Sequence, residues 1–142
     1  MADPFVLLLR AHQAVYERSD GLVGHRLLFG VPTLLLRSTG RRSGQIRTNA
    51  LTYARDGDAY LVTASNGGSR RPPGWAHNLL AKQDAQIQVG RTKRNVVAQQ
   101  VLPGDPDYDR MWEKVNKVNR GQYREYQKKT DRPIAIFALT PA

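Results

Sequence analysis

Two adjacent arginines sit in a glycine-bounded turn, Thr39-Gly40-Arg41-Arg42-Ser43-Gly44, and a third, Arg47, follows three residues on. Glycine permits positive φ and lets backbone N–H groups converge on an anion. Guanidinium groups add forked, charge-assisted hydrogen bonds to phosphate or carboxylate. The segment reads as an anion grip or as a basic hairpin turn in water; its spacing is neither that of a Walker loop nor that of a dinucleotide fingerprint. Ala64-Ser65-Asn66-Gly67-Gly68 ends a strand in small residues. There the main chain can approach a flat ligand, or simply form a flexible loop. In Pro73-Gly74-Trp75-Ala76-His77-Asn78-Leu79 the spacing puts Trp75 and Asn78 on one helical face. Asn78 can bond a ligand or cap a backbone group, while Trp75 reads more readily as core. Tyr123 and Tyr126 share another helical face. A buried phenol needs a partner, and beside a reacting carbonyl it can donate a proton; packing is the simpler reading.

Other catalytic constellations are missing. The chain has no Cys, which excludes disulfides, thiolate metal sites, iron–sulfur clusters and cysteine nucleophiles. His12, His25 and His77 show no metal-ligand spacing, so no metal is expected. No nucleophile elbow or paired-carboxylate motif is present. An enzyme built from these residues would need a bound cofactor to carry the chemistry.

The elements that position these residues can be read from patterning. Asp3 and Pro4 can open a helix reaching Arg18. Thr33 to Ser38 reads as a buried strand, Arg47 to Arg55 as a second and Ala59 to Ala64 as a third, with Asp56-Gly57-Asp58 as a hairpin turn. A short helix follows from Trp75 to Lys82. Ala85 to Val89 and Arg94 to Val101 alternate about a turn near Gly90. Asp105 or Asp107 can cap a long helix through Met111, Trp112, Val115 and Val118, which Gly121 interrupts before Tyr123 to Lys129. The last strand is Ile134 to Leu139. About six short, hairpin-linked strands and three helices, without regular βαβ alternation, predict an α+β domain. Its expected form is an antiparallel barrel with helices packed outside.

The 142 residues fit one domain, 1–142, with an N-terminal helix and lead-in over 1–30 and a barrel over 31–142. The formal net charge of +10 suggests an anionic partner. The excess is concentrated: residues 31–104 carry net +8, and 16 of the 22 basic residues are arginine. Arginine favours bidentate recognition of phosphate or carboxylate. No aromatic-rich binding motif or recognition helix supports nucleic-acid binding. The apolar run Phe5 to Leu9 is far short of the roughly 20 residues of a membrane span. A cytoplasmic location is expected; residues 5–18 read more readily as a segment packed on the barrel than as one resting on anionic lipid.

Taken together, the segments resemble the deazaflavin-dependent nitroreductase and F420H2-dependent quinone reductase family of actinobacteria. Thr39 to Gly44, Arg47, Asn49-Ala50-Leu51, Asp56-Gly57-Asp58, Ala64 to Gly68, Pro73 to Leu79, and Tyr123 through Tyr126-Gln127 to Thr130-Asp131-Arg132 follow that family's order and spacing. The resemblance runs from Thr33 to the C-terminus. It implies a split β-barrel like those of flavin reductases and pyridoxamine-phosphate oxidases, and coenzyme F420 as cofactor. It implies that Thr39, Gly40, Arg41, Arg42, Ser43, Gly44 and Arg47 hold the coenzyme's phosphate and oligoglutamate end. By the same resemblance Ala50, Leu51, Ala64, Ser65, Asn66 and Gly67 line the ring, Trp75 and Asn78 stand beside it, and Asn49 and Gly68 belong to the cofactor-binding set. Tyr126, Tyr123 and Ser65 would border the substrate as candidate hydrogen-bond donors. The partner implied is a small electron-poor acceptor. Departures fall mostly on the substrate side: Asn66 replaces a lysine, Ala50 a proline and Arg120 a tyrosine, while Arg42 replaces a lysine and keeps its charge. Quinones, or unsaturated lactones and enones of the coumarin and aflatoxin type, suit such a site better than nitroimidazoles. An FMN-dependent reductase or oxidase of the same fold is the alternative, and a basic nucleic-acid-binding module a remote one.

Overall fold

The computed structural model describes residues 31–142. The helix expected from Asp3 to Arg18, and its contact with lipid, lie outside the described residues. Seven strands form one sheet: β1 (Thr33–Thr39), β2 (Ile46–Thr52), β3 (Ala54–Asp56), β4 (Ala59–Thr63), β5 (Asp84–Val89), β6 (Thr92–Val101) and β7 (Ile136–Pro141). The order is β2-β1-β5-β6-β7-β4-β3, and every neighbouring pair is antiparallel. Strand β2 also meets β4, which curls the sheet into a split barrel. Three helices accompany it: α1 (Gly74–Ala81), α2 (Tyr108–Val118) and α3 (Gln122–Gln127).

Patterning explains the two layers. Side chains alternate across a strand, and β4 is buried along its whole length. Tyr60 and Val62 face the barrel interior with Phe137 and Leu139 of β7 and with Trp75, Ala76 and Leu79 of α1. Leu61 and Ala59 face the other way with Ile136 and Ala138, under Tyr108, Met111 and Val115 of α2 and Tyr123 of α3. The helix face formed by Tyr108, Met111 and Val115 follows the i, i+3, i+7 pattern.

The second expected strand, Arg47 to Arg55, is two strands. The break at Tyr53 lets the chain leave β1 and pair with β4. The last strand starts at Ile136 rather than Ile134, because the Ile134 N–H bonds the Gln127 side chain instead of a neighbouring strand. Asp107 stands at the N-terminus of α2 but makes no side-chain cap bond; Asp105 instead accepts from the Leu102 N–H at 2.7 Å.

The β3–β4 turn is tied to α2 by charge. Asp56 accepts from Arg110 at 2.8 Å and from Lys114 at 2.7 Å. Those two hydrogen bonds hold its carboxyl down to about 2, against an ordinary 3.8. A depressed carboxylate stabilises the fold above its unfolded pKa and loses that contribution as pH falls through the folded value. Both cations are about half exposed, so solvent screens the pair. Asp56→Asn is expected to lower stability at neutral pH by about 1 kcal/mol. Denaturant titrations of the two proteins should converge as pH falls from about 4 to 2.

Candidate active site

Strand direction puts two of the candidate loops at one end of the barrel. Strands β1, β6 and β4 run one way and β2, β5, β7 and β3 the other. The loop after β1 and the loop after β4 therefore open on the same side. The chain between β4 and α1 joins them.

The β1–β2 loop is tightly wound. The Gly40 N–H donates to the Gln45 carbonyl at 2.7 Å, the Gly44 N–H to the Gly40 carbonyl at 2.8 Å, and the Gln45 N–H to Ser43 Oγ at 3.1 Å. A Cβ on Gly40 would lie 2.8 Å from Ser43 Oγ and 3.1 Å from the Gln45 carbonyl, so a larger residue would press on both. Gly44 has φ +73, which suits glycine for conformation instead. Helix α1 holds the loop from below. The buried Asn78 accepts from the Arg41 N–H at 3.1 Å and turns its amide nitrogen toward Ser38 Oγ at 3.4 Å. Gly40, Arg41, Arg42, Ser43, Arg47, Gly74 and Asn78 line an open cavity of about 240 Å³. All three arginines are exposed. Among the described residues none of them forms an ion pair. Three unneutralised guanidiniums around one cavity favour a multiply anionic ligand.

Asn78→Ala removes the acceptor of the part-buried Arg41 N–H. Loss of such a bond costs about 0.5–1.5 kcal/mol. Thermal unfolding should shift downward accordingly, while Leu80→Ala, on the exposed side of α1, should barely move it.

From this cavity the inner row of β2 leads away as Arg47, Asn49, Leu51 and Tyr53. These pair with or follow Ser38, Leu36 and Leu34 of β1. Leu51 and Tyr53 pack on the barrel interior. Ala50 points to the opposite face, where it pairs with Leu35. Ala50 and Leu51 thus cannot both offer side chains to one ligand face. Trp75 is core: its ring meets Phe137 edge-on at 5.6 Å inside the barrel.

The β4 loop is built on three successive left-handed residues, Asn66 (φ 45), Gly67 (φ 66) and Gly68 (φ 80). Ala64 and Ser65 are buried ahead of it. Asn66 turns its amide back into the loop, donating to Ser69 Oγ at 2.8 Å and to the Arg71 carbonyl at 3.0 Å. The close approach at Gly68 is to protein: a Cβ there would lie 2.5 Å from the Tyr126 carbonyl oxygen. The glycine seats the loop against α3.

Tyr123 and Tyr126 stack edge-on at 6.3 Å, but their settings differ. Tyr123 is buried against Trp112, and burial pushes its pKa up to about 12. Its hydroxyl faces Thr63 and Thr52. Thr63 Oγ1 is buried without a hydrogen bond of proper geometry, so the two hydroxyls are neighbours rather than a bonded pair. Tyr126 is half-buried, with Lys129 Nζ 5.7 Å from its ring centre. Arg120 is exposed at φ 62 between α2 and α3. The described residues contain no cluster of His, Cys, Asp and Glu able to hold a metal.

Sequence patterning gave no role to Arg132 and Gln127. Arg132 donates to the Ala64, Ser65 and Ser69 carbonyls at 3.0, 2.9 and 3.0 Å. Gln127 bonds the Thr130 and Arg132 carbonyls and the Ile134 N–H. The available signal was an arginine among turn residues, a few positions before the last buried strand.

Comparison with known proteins agrees with this architecture. A family model described as F420H(2)-dependent quinone reductase matches residues 8–141. An F420H(2)-dependent quinone reductase of Mycobacterium tuberculosis is 51% identical over 135 residues, covering 95% of this chain and 91% of that protein. The solved structure of an F420-H2 dependent reductase (FDR-A) has TM-score 0.69 and 28% identity, covering 76% of this chain and 93% of that one. A structure described as a domain-swapped dimer has TM-score 0.71 and 26% identity, covering 96% of this chain and 99% of that one.

Proposed function

The chain belongs to the F420H(2)-dependent quinone reductase family, and on that premise we propose that it binds reduced coenzyme F420, which supplies a hydride to an electron-poor acceptor. The acceptor is a quinone or an unsaturated lactone or enone of the coumarin or aflatoxin type. The observation that carries this reading is the open cavity walled by Arg41, Arg42 and Arg47. Its unneutralised charge suits a phosphate and carboxylate tail. The bond from the Arg41 N–H to Asn78 fixes the loop that carries these arginines.

The chain's own residues then have distinct tasks. The arginine loop binds and orients the anionic end. The inner row of β2, from Asn49 to Leu51, grades from polar to apolar and guides a flat ring toward the barrel mouth. Ser65 and Tyr126 stand on two elements that touch through Gly68. Either can donate a hydrogen bond to negative charge developing on the acceptor oxygen. Tyr123, buried and kept protonated by its surroundings, supports the Tyr126 ring. Tyr126→Phe is expected to lower turnover about tenfold or more while leaving coenzyme affinity unchanged. Unchanged turnover would remove Tyr126 from the donor role, and Ser65→Ala would then be the variant to measure.

Fluorescence titration with oxidised coenzyme F420, set beside FMN, tests the cofactor. Tight binding of FMN alone would overturn the reading in favour of a flavin-dependent reductase. Oxidation of the reduced coenzyme against quinones, nitro compounds and enones then ranks acceptors. A cytoplasmic location, with peripheral lipid contact through the N-terminal segment, is part of the proposal; no helix among the described residues is long and apolar enough to cross a membrane.

A further inference from the structure

We infer that Arg132 is a positioning residue that locks the Ser65 loop to the Tyr126 helix, and so sets the geometry between the two candidate donors. The inference rests on the functional reading above for its catalytic consequence, but its structural half stands alone.

The contacts are unusual in kind. The guanidinium spends its donors on main-chain carbonyls: Nη1 on Ala64 at 3.0 Å, Nη2 on Ser65 at 2.9 Å and Ser69 at 3.0 Å, and Nε on Ser69 at 3.3 Å. Among the described residues no carboxylate pairs with it. The carbonyls it gathers flank both ends of the left-handed turn at 66–68. Nothing in the regular sheet can bond them in that direction, because β4 has ended at Thr63. The backbone of Arg132 is itself fixed to α3. Gln127 Nε2 donates to the Arg132 carbonyl at 2.8 Å, and the Arg132 N–H donates to Thr130 Oγ1 at 3.1 Å. One side chain thus spans from the segment following Tyr126 to both sides of the loop that opens at Ser65. Gly68 makes the complementary contact, seated on the Tyr126 backbone. A lysine cannot reproduce this. Its ammonium is a single point, whereas the planar fork reaches three separated carbonyls at once.

The test uses the full chain carrying Arg132→Lys, with Arg132→Ala beside it. Three readouts are taken: amide hydrogen exchange, affinity for oxidised coenzyme F420, and kcat and KM with a naphthoquinone acceptor. Arg132→Lys should exchange at least tenfold faster at the Ala64, Gly68 and Ser69 amides, which bond Ala135, Ser65 and Asn66. Exchange in the β5–β6 pair should be unchanged. Turnover should fall at least tenfold and by more than coenzyme affinity does, since the arginine cavity that would hold the anionic end lies elsewhere. Added guanidinium should restore part of the turnover of Arg132→Ala. Wild-type exchange and turnover in Arg132→Lys would overturn the inference. So would exchange rising equally across the sheet, or failure of both variants to fold, since each makes Arg132 a residue of general stability. If the wild-type protein oxidises no reduced coenzyme, the functional reading falls, and the exchange pattern alone decides the role of Arg132.

Discussion

Replacing Arg41 and Arg42 together by glutamine should raise the dissociation constant for coenzyme F420 at least a hundredfold at low ionic strength. A hydrogen bond to a charged group contributes about 1.5–3 kcal/mol, and about 1.4 kcal/mol is tenfold in affinity. Two such groups at an exposed site, each taken at the low end, give the hundredfold. The remaining affinity should also respond less to salt, because screening acts on the charges that were removed. The control comes from the sheet's own geometry. Arg91, Lys93 and Arg94 belong to the β5–β6 hairpin, which turns at the opposite end of the barrel from the arginine loop. Neutralising them removes three positive charges instead of two, yet should change affinity less than threefold. If the two sets weakened binding alike, the chain's net charge of +10 would act as a diffuse field and the local grip would be wrong. Isothermal titration at two salt concentrations separates these outcomes.

The largest effect on stability should come from one methyl group. Gly68→Ala forces a side chain onto φ +80 and places its Cβ 2.5 Å from the Tyr126 carbonyl oxygen, 3.0 Å from its Cα and 3.1 Å from its carbonyl carbon. The left-handed conformation costs a non-glycine residue roughly 1–2 kcal/mol, and forced overpacking about 1–3 kcal/mol. The neighbour is backbone, so it cannot swing aside as a side chain would. A loss of about 2–5 kcal/mol is a large share of the 5–15 kcal/mol typical of a domain. Gly67→Ala isolates the first term: φ is +66 there, but nothing lies within 4 Å of the added Cβ. Its loss should stay near 1–2 kcal/mol. Chemical denaturation of the two variants should therefore differ by the clash alone. Equal losses would mean that the loop lifts off α3 without cost.

The sequence made the local layers of the molecule legible and left the long-range ones obscure. Strands β1, β4, β5 and β6 were readable because apolar runs, alternation and the glycines at 57 and 90 are local signals. The arginine loop was legible for the same reason: charge and glycine lie side by side in the chain. The split between β2 and β3 was not, since Tyr53 looks like any strand residue, and only the change of partner from β1 to β4 breaks the run. The opposed faces of Ala50 and Leu51 follow from period two once β2 is placed, but a ring-lining role assigned by resemblance passes over it. Gly68 makes room for the backbone of Tyr126, a close approach between distant parts of the chain. Arg132 reaches acceptors 63 to 68 residues away. No window of sequence contains both ends of such a contact, so its role is set by folding.

The two ends of the site differ in how they are mounted. The Ser65 end hangs from β4, a strand buried on both faces, whereas the arginine end belongs to a hairpin whose outer strand, β2, is the edge of the sheet. On the proposed reading the two ends would divide the work: the coenzyme's ring would meet the end carried by the buried strand, and its anionic tail would leave past the exposed Arg41 and Arg42. A tail extended beyond those arginines would then trail into solvent without moving the ring.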